Sequence, residues 1–201
     1  EAIFTQCKGD KEKETAAKAA AWICVPDTRK ALQDLGAYCR SMHPLPLVGI
    51  TGSVGKTTTK DMIALVVAQK YKTLKTQGNH NNEIGMPQTL FGLDSSYEAA
   101  VIEMGMSHQG EISRMSMSCQ PDVAVITNIG ISHIENLGTQ ENILKAKLEI
   151  LDGAAYDAPL ILCRDDKLLA GVQLHSDRKV YYYSVSKKDC DVYASGVKTV
   201  D

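Results

Sequence analysis

The sequence predicts an α/β protein built on a mainly parallel sheet flanked by helices, preceded by a remnant of a small α/β domain. From residue 47 onwards, short apolar runs alternate with segments of helical periodicity, the pattern of parallel strands joined by crossover helices. The runs 99–102, 123–126 and 160–163 are apolar at every position, which is typical of strands buried on both faces. A glycine-rich segment, residues 49–58 (GITGSVGKTT), connects the first strand of this sheet to its helix. This segment makes the predicted sheet P-loop-type.

The chain before this sheet predicts three elements. Residues 11–21 are rich in Ala, Lys and Glu and favour a helix. The apolar run 22–25 predicts a short buried strand. An Asp-Thr pair then supplies the N-cap of a helix over 28–42.

Two prolines, Pro44 and Pro46, follow shortly after the predicted helix ends at residue 42. Such a pair is typical of a hinge between domains. We therefore predict that residues 1–44 are the C-terminal part of an N-terminal domain and that residues 45–201 form a central domain. The chain begins without Met and in the middle of a pattern, so we expect it to be a piece of a longer protein.

The elements after the glycine-rich segment follow the same alternation. The runs 180–183 and 192–193 predict closing strands, either at a sheet edge or antiparallel. Residues 78–87 predict a polar loop. The remaining predicted elements are a strand at 71–74 and helices at 59–70, 109–119, 140–151 and 166–174.

Composition excludes several classes of partner. The formal net charge of −2 gives no reason to expect nucleic acid or an acidic membrane surface as a partner. No stretch approaches the ~18 apolar residues of a membrane span, and the first residues do not form a signal peptide. Six cysteines without a C-x-x-C pair or metal spacing predict reduced, mostly buried thiols in a cytoplasmic protein.

The glycine-rich segment predicts a phosphate-binding loop. Its glycines allow several backbone N–H groups to point at one anion. Lys56 adds a charge for the outer phosphates, and the Thr57 hydroxyl is placed to hold Mg²⁺. The usual G-x-x-x-x-G-K-T pattern requires glycine where Ile50 stands. The alternative is an ordinary strand-to-helix turn with a surface lysine.

Two other predicted strands end in polar residues that belong at the same edge of the sheet. Glu103 directly follows the buried run 99–102, where its carboxylate can bind Mg²⁺ opposite Thr57; the alternative is a solvated glutamate. His133 lies in a loop after the run 123–126. A lone loop histidine is usually a surface residue, but beside the phosphate loop a neutral imidazole could complete a metal site.

Lys147 is placed on the apolar face of the predicted helix 140–151 by a spacing of 100° per residue. Lys145 and Glu149 fall on the opposite face and predict an exposed pair. Burial favours the neutral amine of a lysine, and a neutral amine can react with CO₂ to form a carbamate. The alternative, equally supported by the spacing, is a side chain that extends to the rim of the face.

Five segments are notable together for their order and spacing: 51–58 (TGSVGKTT), 78–87 (GNHNNEIGMP), 102–112 (IEMGMSHQGEI), 128–135 (NIGISHIE) and 146–150 (AKLEI). The loop 78–87 taken alone predicts only turns, since asparagine is common there. Taken together, the five segments resemble the Mur ligase family of peptidoglycan synthesis. The resemblance covers about 22–201, and the family's glycine-rich loop also starts Thr-Gly.

The resemblance implies a Mur ligase central domain that binds ATP and two Mg²⁺ ions. Thr57 and Glu103 would hold the first ion, and His133 and a carbamylated Lys147 the second. Lys56, His133 and Lys147 would be the catalytic residues. Asn82 and His108 match motif positions near the substrate. The nucleotide-binding residues implied are Gly52, Ser53, Val54, Gly55, Lys56, Thr57 and Thr58.

The resemblance also implies an activity and partners. The activity is ATP-dependent amide ligation, which adds D-alanyl-D-alanine to UDP-N-acetylmuramoyl-tripeptide through an acyl phosphate. The N-terminal part would belong to a UDP-sugar-binding domain, and the family's C-terminal ligase domain would be absent. We expect a monomer that alone binds nucleotide weakly and ligates nothing. Another Mur-type amino-acid ligase and a non-catalytic nucleotide-binding module remain as alternatives.

Overall fold

The computed structural model describes residues 2–6, 21–174 and 177–197. The strands are β1 (Ala2–Gln6), β2 (Ala21–Val25), β3 (Leu47–Thr51), β4 (Thr73–Lys75), β5 (Ala99–Glu103), β6 (Val123–Ile126), β7 (Leu160–Cys163), β8 (Val180–Ser184) and β9 (Val192–Tyr193). The helices are α1 (Thr28–Met42), α2 (Lys56–Val67), α3 (Gly85–Leu90), α4 (Glu111–Cys119), α5 (Ile134–Leu137), α6 (Gln140–Leu148) and α7 (Lys167–Ala170), and a 3₁₀ turn, Glu149–Leu151, follows α6.

Seven of the strands form one sheet in the order β4-β5-β3-β6-β7-β8-β9, and every neighbouring pair is parallel. This confirms the predicted fold class. Strands β5, β3 and β6 are consecutive neighbours in this sheet, and all five residues of β5 are buried. Because the strands are parallel, the loops that follow β5, β3 and β6 leave the same edge of the sheet side by side.

The closing strands correct one prediction. Neither β8 nor β9 is antiparallel, and only β9 is an edge strand. The register explains how a short connection suffices: β9 pairs only with the last two residues of β8, Tyr183 and Ser184. The connection between the two strands therefore has to pass sideways but does not have to return along the whole length of β8. No crossover helix is required.

Several predicted helices are shorter than expected. The helix predicted at 166–174 is the single turn α7, with Asp166 as its N-cap. The predicted helix 140–151 ends at Leu148 and continues as the 3₁₀ turn. The short helix α5 was not predicted at all. None of the described helices is long and apolar enough to cross a membrane.

The N-terminal strands β1 and β2 pair with each other in parallel and not with the main sheet. Strand β2 confirms the predicted run 22–25, but Ile23 is 42% exposed, so its predicted burial is wrong. A two-stranded sheet offers few neighbours to cover it. The helix predicted over 11–21 lies outside the described residues except for Ala21, which begins β2.

The cysteines also correct a prediction. Cys24 is disulfide-bonded, so the expectation of six reduced thiols does not hold for it. Cys39, Cys119, Cys163 and Cys190 are free thiols. Cys119 is fully buried, and this burial raises its pKa to about 12, so the thiol stays protonated and unreactive at neutral pH.

Helix α1 begins at the predicted cap, where the Asp27 carboxylate accepts from the backbone N–H groups of Arg29 and Lys30 at 2.8 and 3.0 Å. The helix packs against α3 and α4. Arg40, only 7% exposed, fixes this packing: its Nε donates to the carbonyl oxygen of Cys119 at 2.9 Å. Its Nη1 donates to the carbonyl of His43 at 2.8 Å.

The Arg40 guanidinium predicts a measurable stability effect. Arg40→Met keeps an apolar stem but removes every donor, which leaves the buried Cys119 carbonyl without this partner. We expect the free energy of unfolding to fall by about 2–4 kcal/mol, measured by urea denaturation. The control is Lys30→Met on the same helix, which removes an exposed pair with Asp34 and should cost less than about 1 kcal/mol. Equal losses for both variants would contradict the role given to Arg40.

Candidate active site

Register brings the polar ends of three strands to one level. In β3, Ile50 pairs with Glu103 of β5, and Thr51 pairs with Ile126 of β6. The glycine-rich turn therefore starts between the carboxylate of Glu103 on one side and the segment that begins at Thr127 on the other. This placement follows from the strand order, in which β3 lies between β5 and β6.

The glycine-rich turn requires glycine at two positions. Gly52 has φ +152°, and a Cβ there would lie 1.9 Å from the Thr127 hydroxyl oxygen. Gly55 has φ +81° and is the N-cap of α2. Lys56, Thr57 and Thr58 form the first turn of this helix. Within the described part of the chain, no acceptor is found for the N–H groups of residues 55–58, so these four donors can receive an anion.

The loop after β6 holds the front half of the turn. The carbonyl oxygen of Asn128 accepts from the N–H of Ser53 at 3.1 Å, and its side-chain oxygen accepts from the N–H of Val54 at 2.9 Å. The Gly130 N–H donates to the Ser53 hydroxyl at 2.8 Å, and the Thr127 hydroxyl donates to the Val54 carbonyl at 2.8 Å. The N–H groups of Ser53 and Val54, predicted to bind nucleotide, already have protein acceptors here.

Glu103 lies directly beside the turn. It is 1% exposed, and its Oε2 accepts from the Thr57 hydroxyl at 2.9 Å. Its Oε1 accepts from the side-chain amide of Asn81 at 2.8 Å. The alternative of a solvated glutamate is therefore wrong.

A cavity of about 390 Å³ opens between the glycine-rich turn and the loop 78–84. Lys56 and His133 both line it, so the structure brings these two predicted residues together. The Lys56 amine donates to the carbonyl of Gly52 at 2.9 Å. Burial lowers the pKa of Lys56, and the nearby Glu103 carboxylate partly opposes this effect. The other lining residues are Arg29, Asn81, Asn82, Glu83, Ile84, Gly105, Met106, Ser107 and Glu111.

His133 has a left-handed backbone with φ +64°, which is uncommon for a residue other than glycine. Its carbonyl oxygen accepts from the N–H groups of Asn136 and Leu137, so α5 starts at this residue. The left-handed backbone and the start of α5 together position residue 133, which lines the cavity.

Lys147 points inward, as its helical spacing predicts. It is 2% exposed, and the described residues provide no hydrogen bond or ion pair to its amine. Burial, together with the positive charge of Lys56, lowers its pKa to about 7. The alternative of a side chain extended to the rim is wrong.

The predicted Lys145–Glu149 pair is wrong in its second member. The Glu149 carboxylate instead accepts from the N–H of Gly110 at 2.8 and 2.9 Å and from that of Ser113 at 3.3 Å. These donors belong to the start of α4, where a negative charge is favourable. Lys145 is exposed as expected.

The two predicted substrate residues differ in position. Asn82 lines the cavity, and its side-chain oxygen accepts from the N–H groups of Ile84 and Gly85 at 3.1 and 2.8 Å, so it also starts α3. His108 is exposed and does not line the cavity; its Nδ1 lies 3.5 Å from the Glu111 carboxylate.

Three residues at the site were not predicted from the sequence. Arg29 reaches the cavity from α1, with a guanidinium nitrogen 3.6 Å from the Glu83 carboxylate. Asn81 holds Glu103, and Asn128 holds the glycine-rich turn. Both asparagines lie in segments that resemble the family, but the sequence does not specify which partner each amide binds.

The residues beside the turn fit a magnesium ion. A hydroxyl oxygen and a carboxylate oxygen, those of Thr57 and Glu103, already lie 2.9 Å apart, and oxygen is the donor that Mg²⁺ prefers. Residues 2–6, 21–174 and 177–197 contain no group of three or more His, Cys, Asp or Glu side chains that could hold a metal alone. An ion here would therefore take its remaining ligands from phosphate and water.

Sequence comparison shows clear relatives. A UDP-N-acetylmuramoyl-tripeptide–D-alanyl-D-alanine ligase of Bacillus subtilis is 43% identical over 189 residues, which cover 89% of this chain and 41% of that protein. The ligase of the same name from Escherichia coli is 37% identical over 176 residues, covering 87% of this chain and 39% of that protein. The chain thus spans about two fifths of the length of these relatives.

Solved structures agree with the sequence relatives. MurF from Acinetobacter baumannii superposes with a TM-score of 0.87 at 32% identity, covering 98% of this chain and 47% of that chain. MurF from Thermotoga maritima, solved in complex with ADP, gives 0.80 at 30% identity, covering 91% of this chain and 41% of that chain. The family model described as the Mur ligase middle domain matches residues 50–201. This chain therefore belongs to the Mur ligase family.

Proposed function

We propose that this chain carries the ATP-binding core of an enzyme that joins D-alanyl-D-alanine to UDP-N-acetylmuramoyl-tripeptide through an amide bond. The observation that carries the proposal is the contact between the Thr57 hydroxyl and the buried Glu103 carboxylate at a glycine-rich turn. Lys56 and His133 face the same cavity beside this turn. The names of the relatives support the substrates, and the ADP bound to one of them supports the nucleotide.

The phosphates of ATP would lie against the first turn of α2. The free N–H groups of residues 55–58 would donate to the phosphate oxygens, and the Lys56 amine would leave the Gly52 carbonyl to join them. Thr57 and Glu103 would hold one Mg²⁺ ion, and His133 with a modified Lys147 the second. When bound, these ions supply positive charge that neutralises the crowded phosphate oxygens.

The reaction would proceed in two steps. The terminal carboxylate of the nucleotide-linked tripeptide attacks the γ-phosphorus of ATP, which forms an acyl phosphate and releases ADP. The amine of D-alanyl-D-alanine then attacks the acyl carbon, inorganic phosphate leaves, and the amine loses one proton as the amide forms. The protein's task is to hold and orient the reacting groups, so no side-chain nucleophile is required.

We also propose the domain boundaries predicted from the sequence. Residues 1–44 would belong to a UDP-sugar-binding domain and residues 45–201 to the central ATP-binding domain. Arg29 supports a role for the N-terminal part in substrate binding, because this residue of α1 lines the cavity beside the glycine-rich turn. That the protein is a monomer in the cytoplasm stays a prediction.

For Lys147 we propose carbamylation. Its amine is buried and has a pKa of about 7, so a large fraction is neutral at physiological pH. The neutral amine adds to the carbon of CO₂ and loses one proton, which gives a carbamate anion. This change places a negative group beside Lys56 in place of a second positive one, and carboxylate-like oxygens suit Mg²⁺.

The nucleotide site predicts the effect of one charge. Lys56→Met should weaken ATP binding at least about tenfold, because charged hydrogen bonds contribute about 1.5–3 kcal/mol. Isothermal calorimetry with a non-hydrolysable ATP analogue measures this. Lys70→Met, an exposed lysine beyond the end of α2, is the matched control and should bind normally.

The substrate assignment has its own test in the native protein that carries this chain. ADP release should require UDP-N-acetylmuramoyl-tripeptide and D-alanyl-D-alanine together. Equal ADP release with single amino acids would support another ligase of the family. If the protein binds ATP tightly but turns over no substrate, and if Lys147→Met leaves ATP binding unchanged, the result would support a non-catalytic nucleotide-binding module.

Burial of Lys147 predicts how stability depends on pH in CO₂-free buffer. Below pH 7 the amine is charged in both folded and unfolded protein, so the folded state bears the full cost of burying the charge. Between about pH 7 and 10.5 only the unfolded state keeps the proton, so this cost falls as pH rises. Lys147→Met should therefore be more stable than wild type near pH 6, on the order of 4 kcal/mol, with the gap closing by pH 10.

Denaturation curves across this pH range test the prediction, with Lys145→Met as the control because Lys145 is exposed on the same helix. A gap between Lys147→Met and wild type that does not change with pH would show that the amine is not buried as described.

Carbamylation predicts a direct signal. Protein equilibrated with ¹³C-bicarbonate should show a carbamate carbon resonance in ¹³C NMR, because the buried neutral amine is reactive. The signal should persist in Lys145→Met and disappear in Lys147→Met. A spectrum without the resonance at near-neutral pH and saturating bicarbonate would contradict the modification.

A further inference from the structure

We propose that Asn81 is a positioning residue for the metal-binding carboxylate, and that it links the loop 78–84 to the nucleotide site. The inference rests on the proposed function, since it concerns the magnesium ion that Thr57 and Glu103 would hold. It assigns a specific task to one of the three asparagines of the loop 78–87.

The two oxygens of the Glu103 carboxylate have different partners. Oε1 accepts from the Asn81 side-chain amide at 2.8 Å, and Oε2 accepts from the Thr57 hydroxyl at 2.9 Å. The backbone is fixed as well, since the N–H of Glu103 donates to the Thr76 hydroxyl at 2.9 Å. A carboxylate held at one oxygen by an amide donor cannot rotate freely, so the other oxygen keeps facing the glycine-rich turn.

Asn81 is itself held in place. Its carbonyl oxygen accepts from the N–H of Gly105 at 2.6 Å, and its own N–H donates to the carbonyl of Asn79 at 2.7 Å. A Cβ at residue 105 would lie 3.1 Å from the side-chain oxygen of Asn81, so the amide packs closely on Gly105. Both the loop 78–84 and the segment after β5 therefore constrain the amide.

The choice of an amide has a chemical reason. A neutral donor stabilises the buried carboxylate without bringing a second positive charge that would repel a cation. A lysine or arginine here would pair with Glu103 and compete with Mg²⁺. Hydrogen-bonding partners of metal ligands commonly change metal affinity or activity by 10–100-fold when they are removed.

The position of Asn81 also connects two parts of the site. The next two residues, Asn82 and Glu83, line the cavity beside the glycine-rich turn, where a substrate other than ATP would lie. Glu83 is bonded to Gln33 of α1 at 3.0 Å and to Arg114 of α4. A shift of this loop when substrate enters would therefore reach the Glu103 carboxylate through a single hydrogen bond.

The experiment compares affinity for a non-hydrolysable ATP analogue with Mg²⁺ and with EDTA, in the native protein that carries this chain. Asn81→Ala should lose about tenfold or more of the gain in affinity that Mg²⁺ provides. Its affinity in EDTA should stay at the wild-type value, which a general structural defect would not allow. Its unfolding midpoint should fall, because a buried carboxylate oxygen loses its donor, so affinity is measured well below that midpoint. Asn79→Ala, an exposed asparagine of the same loop, is the matched control and should keep the full gain.

A double-mutant cycle tests whether Asn81 acts through Glu103. In the Glu103→Gln background, Asn81→Ala should cause no further loss, because the carboxylate it positions is gone. Losses that multiply, or an Asn81→Ala variant that retains the full Mg²⁺ gain, would overturn the inference while leaving the proposed function intact. A wild-type protein that binds no ATP, with or without Mg²⁺, would overturn the proposed function and this inference with it.

Discussion

The hydrogen bond between Thr57 and Glu103 depends on the order of three strands. Residue 57 starts the helix after β3, and residue 103 ends β5, 46 positions later in the chain. Only a parallel sheet with β5 beside β3 brings the hydroxyl and the carboxylate to the same edge. The free-energy cost of burying the Glu103 carboxylate is offset because both of its oxygens accept hydrogen bonds. The strand order therefore decides whether the site exists.

The same edge of the sheet also determines how rigid the glycine-rich turn is. On its β6 side, hydrogen bonds with Thr127, Asn128 and Gly130 hold residues 53 and 54. Among the residues that the structure describes, the N–H groups in the first turn of α2 have no acceptor. A turn that is fixed at the front and open at the back loses little entropy when an anion binds, because the donors are already oriented.

The sequence predicted the parts of the site better than their connections. Periodicity placed Lys147 on the apolar face of its helix, because helical spacing is a local property, but it left open whether the side chain extends to the rim. It paired Glu149 wrongly with Lys145, because the start of α4 that attracts Glu149 lies about 40 positions earlier in the chain. The parallel pairing of β8 with β9 likewise depends on register, which the apolar runs do not encode.

Electrostatics explains why these parts belong together. Burial lowers the pKa of both Lys56 and Lys147, and the charge of Lys56 lowers that of Lys147 further. Glu103 is the neighbouring carboxylate that offsets this for Lys56, and no ion pair to Lys147 is found in the described ranges. Burial makes the charged form of each amine unfavourable, and a neighbouring negative charge offsets this cost, as Glu103 does for Lys56. This arrangement is consistent with the proposal that the site receives an anion.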